Sequence, residues 1–168
     1  MAQRRSNPVN LPDISFHACT PELRKKLLAE NPLFSELSGA DIAAINSRFT
    51  DIGFEADETI LREGDKANRL YIVVMGVVKV FRTTESGGTV LIDILASGDY
   101  FGSIAGYGPA LYEETAVARS TVCALSIGTG EFRSILKEYS SVALRAVEAL
   151  SERLRLAHRL MHPLSGYP

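Results

Sequence analysis

A chain of 168 residues with 46% hydrophobic residues has room for one good core, and a net charge of −2 supplies no basic field for nucleic acid or an anionic membrane. No apolar run approaches the ~20 residues of a membrane span, and Met1 to Asn10 lacks the apolar core of a signal peptide, so a soluble, cytoplasmic protein with no membrane partner is expected. Only Cys19 and Cys123 occur, far apart and in no metal-ligand spacing, which points to reduced thiols.

Met1 to Cys19 is polar, with Pro8 and Pro12, and reads as an arm, disordered or laid over the surface. Thr20 before Pro21 and Glu22 starts a helix: a hydroxyl to cap free amides, a proline in the first turn, an acid at the positive dipole end. Asn31-Pro32 stops it. Ser38 with Asp41 three residues on is a second cap, a variant of the capping box, ahead of Ile42 and Ile45 on one face. Phe49, Ile52 and Phe54 lead into the first strand.

From Thr59 to Ile127, short β-branched runs alternate with turns. Thr59 to Arg62, Leu70 to Met75, Val77 to Thr83, Val90 to Leu95, Thr115 to Arg119 and Val122 to Ile127 are predicted strands. Glu63 to Asn68, Gly76, Glu85 to Gly88 and Ser97 to Asp99 supply the turn residues between them. Many short strands at regular spacing predict a mainly β domain, a sandwich, jelly roll or barrel. Tyr100 to Pro109 is too irregular for a ladder and too apolar for a solvated loop, and a binding pocket is expected there.

After Gly128-Thr129-Gly130 breaks the sheet, Glu131 to Lys137 makes a short helix, and Ser140 or Ser141 caps a long one. In that helix Ala143, Val147, Leu150, Leu154, Ala157, Met161 and Leu164 fall at alternating steps of four and three until Pro163 interrupts. Such a seam is buried by a second helix, so a homodimer is expected through Val147, Leu150, Leu154, Ala157 and Met161. The competing reading is that the same stripe packs on its own β domain. The expected divisions are an arm at 1–20, the roll with short flanking helices at 21–139, the dimerisation helix at 140–164 and the start of a hinge at 165–168.

Six segments carry a family resemblance: Asn31-Pro32-Leu33-Phe34, Ile60-Leu61-Arg62-Glu63-Gly64-Asp65, Leu70-Tyr71-Ile72-Val73, Gly76-Val77-Val78-Lys79-Val80, Gly98-Asp99-Tyr100-Phe101-Gly102 and Thr115-Ala116-Val117-Ala118. In this order and spacing the chain resembles the effector domain of the Crp/Fnr family of bacterial transcription regulators, and cyclic nucleotide-binding domains more widely. The resemblance implies a double-stranded β-helix or jelly roll followed by a long dimerisation helix, a small-molecule effector, and DNA contact only through a helix-turn-helix domain after the hinge. The segment near Ser165-Gly166-Tyr167 looks like that hinge, and a sensor lacking its reader, by truncation or by nature, is expected.

Family members that bind cyclic nucleotides carry a cassette, Phe-Gly-Glu-Leu-Ala and then Arg-Ser/Thr-Ala, whose glutamate holds the ribose and whose arginine holds the phosphate. Here the cassette reads Phe101-Gly102-Ser103-Ile104-Ala105, and after the loop Tyr112-Glu113-Glu114-Thr115-Ala116. Both polar anchors are replaced, and a carboxylate where a cation belongs repels a phosphate. The candidate ligand-binding residues are therefore Phe101, Gly102, Ser103, Ile104, Ala105, Tyr107, Glu113, Glu114, Thr115 and Ala116, for an effector other than cAMP. An apolar one would touch Ile104, Tyr107 and Val117. The amides of Gly102 to Ile104 are a weaker anion site, and Arg82 and Arg119 are the alternative cations.

The cofactor is not fixed by the sequence. His17 and Cys19 are candidate ligands for a haem iron, since some family members sense gases that way, whereas two cysteines cannot hold a four-cysteine cluster. No histidine lies between Gly53 and Ile127, which argues against the metal-dependent cupin enzymes of this fold. No P-loop, nucleophile elbow or His-Glu-x-x-His occurs, so no catalytic residue or metal site is assigned. His158 and His162 complement the negative end of the long helix. The alternative to a sensor is a stand-alone interaction module that binds nothing small.

Overall fold

The computed structural model describes residues 20–104 and 111–161, with the side chains at 157, 160 and 161 left aside. The arm, the hinge, Leu164, His17, Cys19, Ala105 and Tyr107 lie outside the described residues.

Helix α1, Pro21–Glu30, begins as its sequence dictates: the Leu23 amide donates to Thr20 Oγ1 at 3.2 Å. It stops at Asn31, whose buried amide side chain donates to Gly98 O at 3.0 Å and accepts from Leu33 N at 3.0 Å. Helix α2, Gly39–Asn46, has Ser38 as its cap, accepting from the Asp41 amide while donating to the Asp41 carboxylate at 2.6 Å.

Eight strands follow: β1 Thr50–Phe54, β2 Thr59–Leu61, β3 Arg69–Met75, β4 Val78–Thr83, β5 Thr89–Leu95, β6 Tyr100–Gly102, β7 Thr115–Ala118 and β8 Val122–Gly128. They form two antiparallel sheets, ordered β1-β8-β3-β6 and β2-β7-β4-β5. The six expected strands stand within a residue or so of their predicted ends. Two were not foreseen. β1 contains Asp51 and Gly53 and is a strand because β8 pairs with it along its length. β6 lies within the stretch judged too irregular for a ladder, which is corrected: three residues bonded on one side to β3 need no β-branched run.

The unbroken apolar runs of β3 and β8 are explained by burial on both faces. Leu70, Ile72, Val74, Cys123, Leu125 and Ile127 face the helices, packed with Leu28, Phe34, Ile45 and Phe132. Tyr71, Val73, Val122 and Ala124 face the second sheet, packed with Val78, Val80, Phe101, Ala116 and Ala118. Period two thus assigns one strand to two cores. Cys123 is buried, and it is disulfide-bonded, not the reduced thiol expected. Spacing along a sequence does not contain the Cα and Cβ geometry that decides such a bond.

Helix α3, Thr129–Glu138, starts two residues earlier than expected, with Gly128 as its cap. Helix α4, Ser140–Met161, turns Val142, Ala146 and Ala149 toward the roll. At Val147, Leu150 and Leu154 the heptad seam does not pack on its own domain: these residues are 61%, 48% and 58% exposed. That removes the competing reading for these three residues.

Candidate functional site

Strand β6 carries the first half of the cassette to one end of the roll. Phe101 is buried and stacks on Tyr71, ring centroids 5.1 Å apart and 15° between planes. Gly102 has φ of +91°, and a Cβ there would meet Arg69 O at 2.5 Å, so both conformation and space require glycine. The Ser103 amide donates to that same Arg69 carbonyl at 2.9 Å. It is therefore already satisfied, and the expected nest of free amides over Gly102 to Ile104 is corrected at its centre. Ile104 packs against the helix-side core, away from the roll interior.

The second half of the cassette enters β7. Ala116 lies in the roll interior with Phe101, whereas Val117 points to the other face of its strand, half-buried. Thr115 is buried and its hydroxyl accepts from Glu63 N at 3.1 Å. Glu114 is half-buried. Glu113 is 62% exposed and is not a bare charge: Arg82 Nη2 lies 2.9 Å from its carboxylate, and Arg82 Nε donates to its carbonyl at 3.0 Å. Arg119 pairs instead with Asp57, at 3.2 Å. The structure thus brings Phe101 and Ala116 toward one interior, places Thr115 on the same face of its strand as Val117 with its hydroxyl bonded to Glu63, leaves Glu113 exposed, and turns Ile104 elsewhere.

Sequence reasoning passed over the polar side chains of that end of the roll. Arg69 Nε donates to the buried Ser126 Oγ at 2.7 Å. The Tyr112 hydroxyl accepts from Arg69 N and donates to Arg69 O, both at 3.1 Å. Burial pushes the Tyr71 phenol up to about 12, with Tyr112 adding to the rise and Arg69 and Ser126 opposing it. Burial likewise raises the Tyr112 phenol, against the Arg69 and Asn68 backbone. The clue was available: Tyr71 and Ser126 are the polar members of otherwise aliphatic strand runs, and Arg69 shares a face with Tyr71.

Among the described residues, no group of three or more His, Cys, Asp or Glu side chains is placed to hold a metal ion, and no helix is long and apolar enough to cross a membrane.

A two-sheet antiparallel roll with a short edge strand turning a glycine corner at one end, and a long helix behind it, is the architecture of cyclic nucleotide-binding-like domains. Sequence comparison makes the assignment specific: the cyclic nucleotide-binding domain profile matches residues 52–139, and the chain belongs to that family. Its relatives include the CRP-like cAMP-activated global transcriptional regulator of Mycobacterium tuberculosis strain H37Rv, 27% identical over 130 residues. That match covers 77% of this chain and 58% of the relative, so the chain spans little more than half of that regulator's length. The Thermus thermophilus catabolite activator protein superposes with a TM-score of 0.75 at 26% identity, covering 80% of this chain and 63% of that one. The N-terminal domain of a Streptomyces coelicolor A3(2) transcriptional regulator superposes with a TM-score of 0.65 at 27% identity, covering 80% and 94%. The resemblance to Crp/Fnr effector domains and the jelly-roll fold are borne out.

Proposed function

We propose that this chain is the ligand-sensing and dimerisation domain of a Crp/Fnr-type transcription regulator whose effector is not cAMP. One observation carries the reading. At the two cassette positions where a cyclic nucleotide needs a glutamate and an arginine stand Ser103 and Glu114, the residue directly before Thr115-Ala116, and the nearby guanidinium of Arg82 is already engaged with the adjacent Glu113. A serine cannot span to a ribose hydroxyl as a glutamate does. Arg82 would have to leave Glu113 before it served a phosphate, and the freed carboxylate would then stand beside that phosphate.

In this reading the effector occupies the end of the roll bounded by Phe101, Ser103, Thr115 and Ala116, with Tyr71, Arg69 and Ser126 as additional groups within reach. Residues 21–139 sense, 140–164 dimerise, 1–20 form an arm and 165–168 begin a hinge. DNA contact belongs, as in the family, to a helix-turn-helix domain, and no DNA-binding or catalytic role is assigned to these 168 residues. No cofactor is assigned in this reading: the disulfide at Cys123, in a chain with one other cysteine, removes the thiolate from the haem site expected at His17 and Cys19. The protein acts in the cytoplasm.

Titration calorimetry with millimolar cAMP and cGMP tests it. No heat of binding is expected, because an unpaired phosphate loses about 3–5 kcal/mol, several hundredfold or more in affinity. A micromolar dissociation constant for either nucleotide contradicts the reading and moves the phosphate to Arg82 or Arg69.

A further inference from the structure

Helix α4 presents two stripes in different directions. The seam of Val147, Leu150 and Leu154 is exposed, while Val142, Ala146 and Ala149 step by four and three along the face packed on the roll. Four residues beyond Ala149 the packed stripe reaches Arg153. The Arg153 Cζ lies 4.5 Å from the centroid of the Tyr100 ring. One of its terminal nitrogens donates to the Tyr100 carbonyl at 3.2 Å. A single side chain therefore holds both the ring and the backbone of the residue that opens β6. Among the described residues, this is the hydrogen bond that joins the helix beyond Ala149 to the roll; the other polar contacts there, Ser151 to Val147 and Arg155 to Glu152, stay within the helix.

We propose that Arg153 is the positioning residue through which the Tyr100–Ile104 segment sets the direction of α4, and with it the geometry of the exposed seam. Tyr100 pairs with Ile72, Phe101 with Tyr71 and Gly102 with Leu70, so β6 moves as a unit on the edge of its sheet. An occupant that displaces Phe101 or Ser103 displaces the Tyr100 carbonyl. Arg153 then either follows, swinging the outer turns of α4, or releases, leaving them untied. A guanidinium suits this task because it lies flat on a ring face while aiming an N–H in its own plane at an acceptor, which an ammonium on a thin stem cannot reproduce. The inference deepens the sensing reading, on which its regulatory consequence rests, but the latch itself is measurable on the free chain.

Hydrogen exchange resolved by peptide on the whole 168-residue chain, with the roll's β8 amides as the internal reference, is the test. Arg153→Gln should speed exchange roughly tenfold in residues 150–161 and also in residues 100–104, the size of effect expected from losing one cation–π contact and one charge-assisted hydrogen bond. Tyr100→Leu should speed the same two regions. The double substitution should go no further than Arg153→Gln alone, because Tyr100→Leu removes the ring contact that Arg153→Gln also removes and leaves the Tyr100 carbonyl in place. Arg153→Lys, which keeps a cation over the ring, should fall between wild type and Arg153→Gln. Acceleration confined to the helix, or effects that simply add in the double substitution, would overturn the proposal. Repeating the series in a Leu154→Glu background separates it from the dimer: a latch that persists there stands whether or not the chain dimerises.

Discussion

Tyr71 has its phenol buried between two sheets, and its pKa is raised to about 12 chiefly by that burial. In the unfolded chain the group ionises near 10, so below that pH folding costs it nothing in charge. As pH rises from about 10 to about 12, the unfolded state gains a stabilising phenolate that the native state refuses, and native stability falls across that window. Absorbance titration of the phenolates should show Tyr71 ionising late, beside the raised Tyr112, and Tyr71→Phe should remove one phenolate from the late part of the titration. Stability against denaturant should fall less steeply above pH 10 in Tyr71→Phe than in wild type. A Tyr71 that titrates with the exposed tyrosines would mean that water reaches the phenol. At the same scale, Gly102→Ala forces an L residue to φ of +91° against the Arg69 carbonyl. It should cost about 2 kcal/mol or more in denaturant unfolding, while Gly87→Ala, with the same hand of backbone and nothing within 4 Å, should cost less.

Among the elements, the helix starts were readable because their causes are local: Thr20 and Ser38 cap from within three residues of the amides they serve. The stop at Asn31-Pro32 was readable too, but not its second role. Asn31 ties the end of α1 to the turn before β6 through Gly98, a partner 67 residues away that no window of sequence contains. Asn31→Ala should therefore cost about 1–3 kcal/mol, measured by thermal or denaturant unfolding, since it strips partners from the Gly98 carbonyl and the Leu33 amide. A neutral substitution would show that water replaces the side chain without loss. Strands β1 and β6 were illegible for a related reason: each is made by its neighbour, β1 by β8 and β6 by β3, and their own runs are interrupted by Asp51 and Gly53 in β1 and cut to three residues ending at Gly102 in β6. The candidate site was half legible. Its cassette residues stood out by resemblance, yet which of them face the interior depended on strand register. That register turns Ile104 and Val117 outward and brings in Tyr71, Arg69 and Ser126. The bond at Cys123 also lay beyond what spacing can report.

On the scale of the whole molecule, α4 is the element that the proposed dimer would share between two bodies. Its Val142, Ala146 and Ala149 side is spent on the roll, and its Val147, Leu150 and Leu154 side is left to water in the single chain. In the proposed dimer, three large apolar residues in a heptad register, each about half exposed or more in the single chain, would be covered by a second copy of the same helix, and closing the seam would couple two rolls about one axis. Leu154→Glu is a clean probe because the side chain is exposed in the monomer: the substitution should leave the unfolding midpoint of the diluted chain nearly unchanged. In a parallel dimer the same substitution opposes two carboxylates in the seam and removes two leucines from it, which should weaken association at least about a hundredfold. Sedimentation velocity at micromolar concentration tests this account most directly. Wild type should run as a dimer and Leu154→Glu as a folded monomer; a wild-type chain that is already monomeric at that concentration would contradict the account.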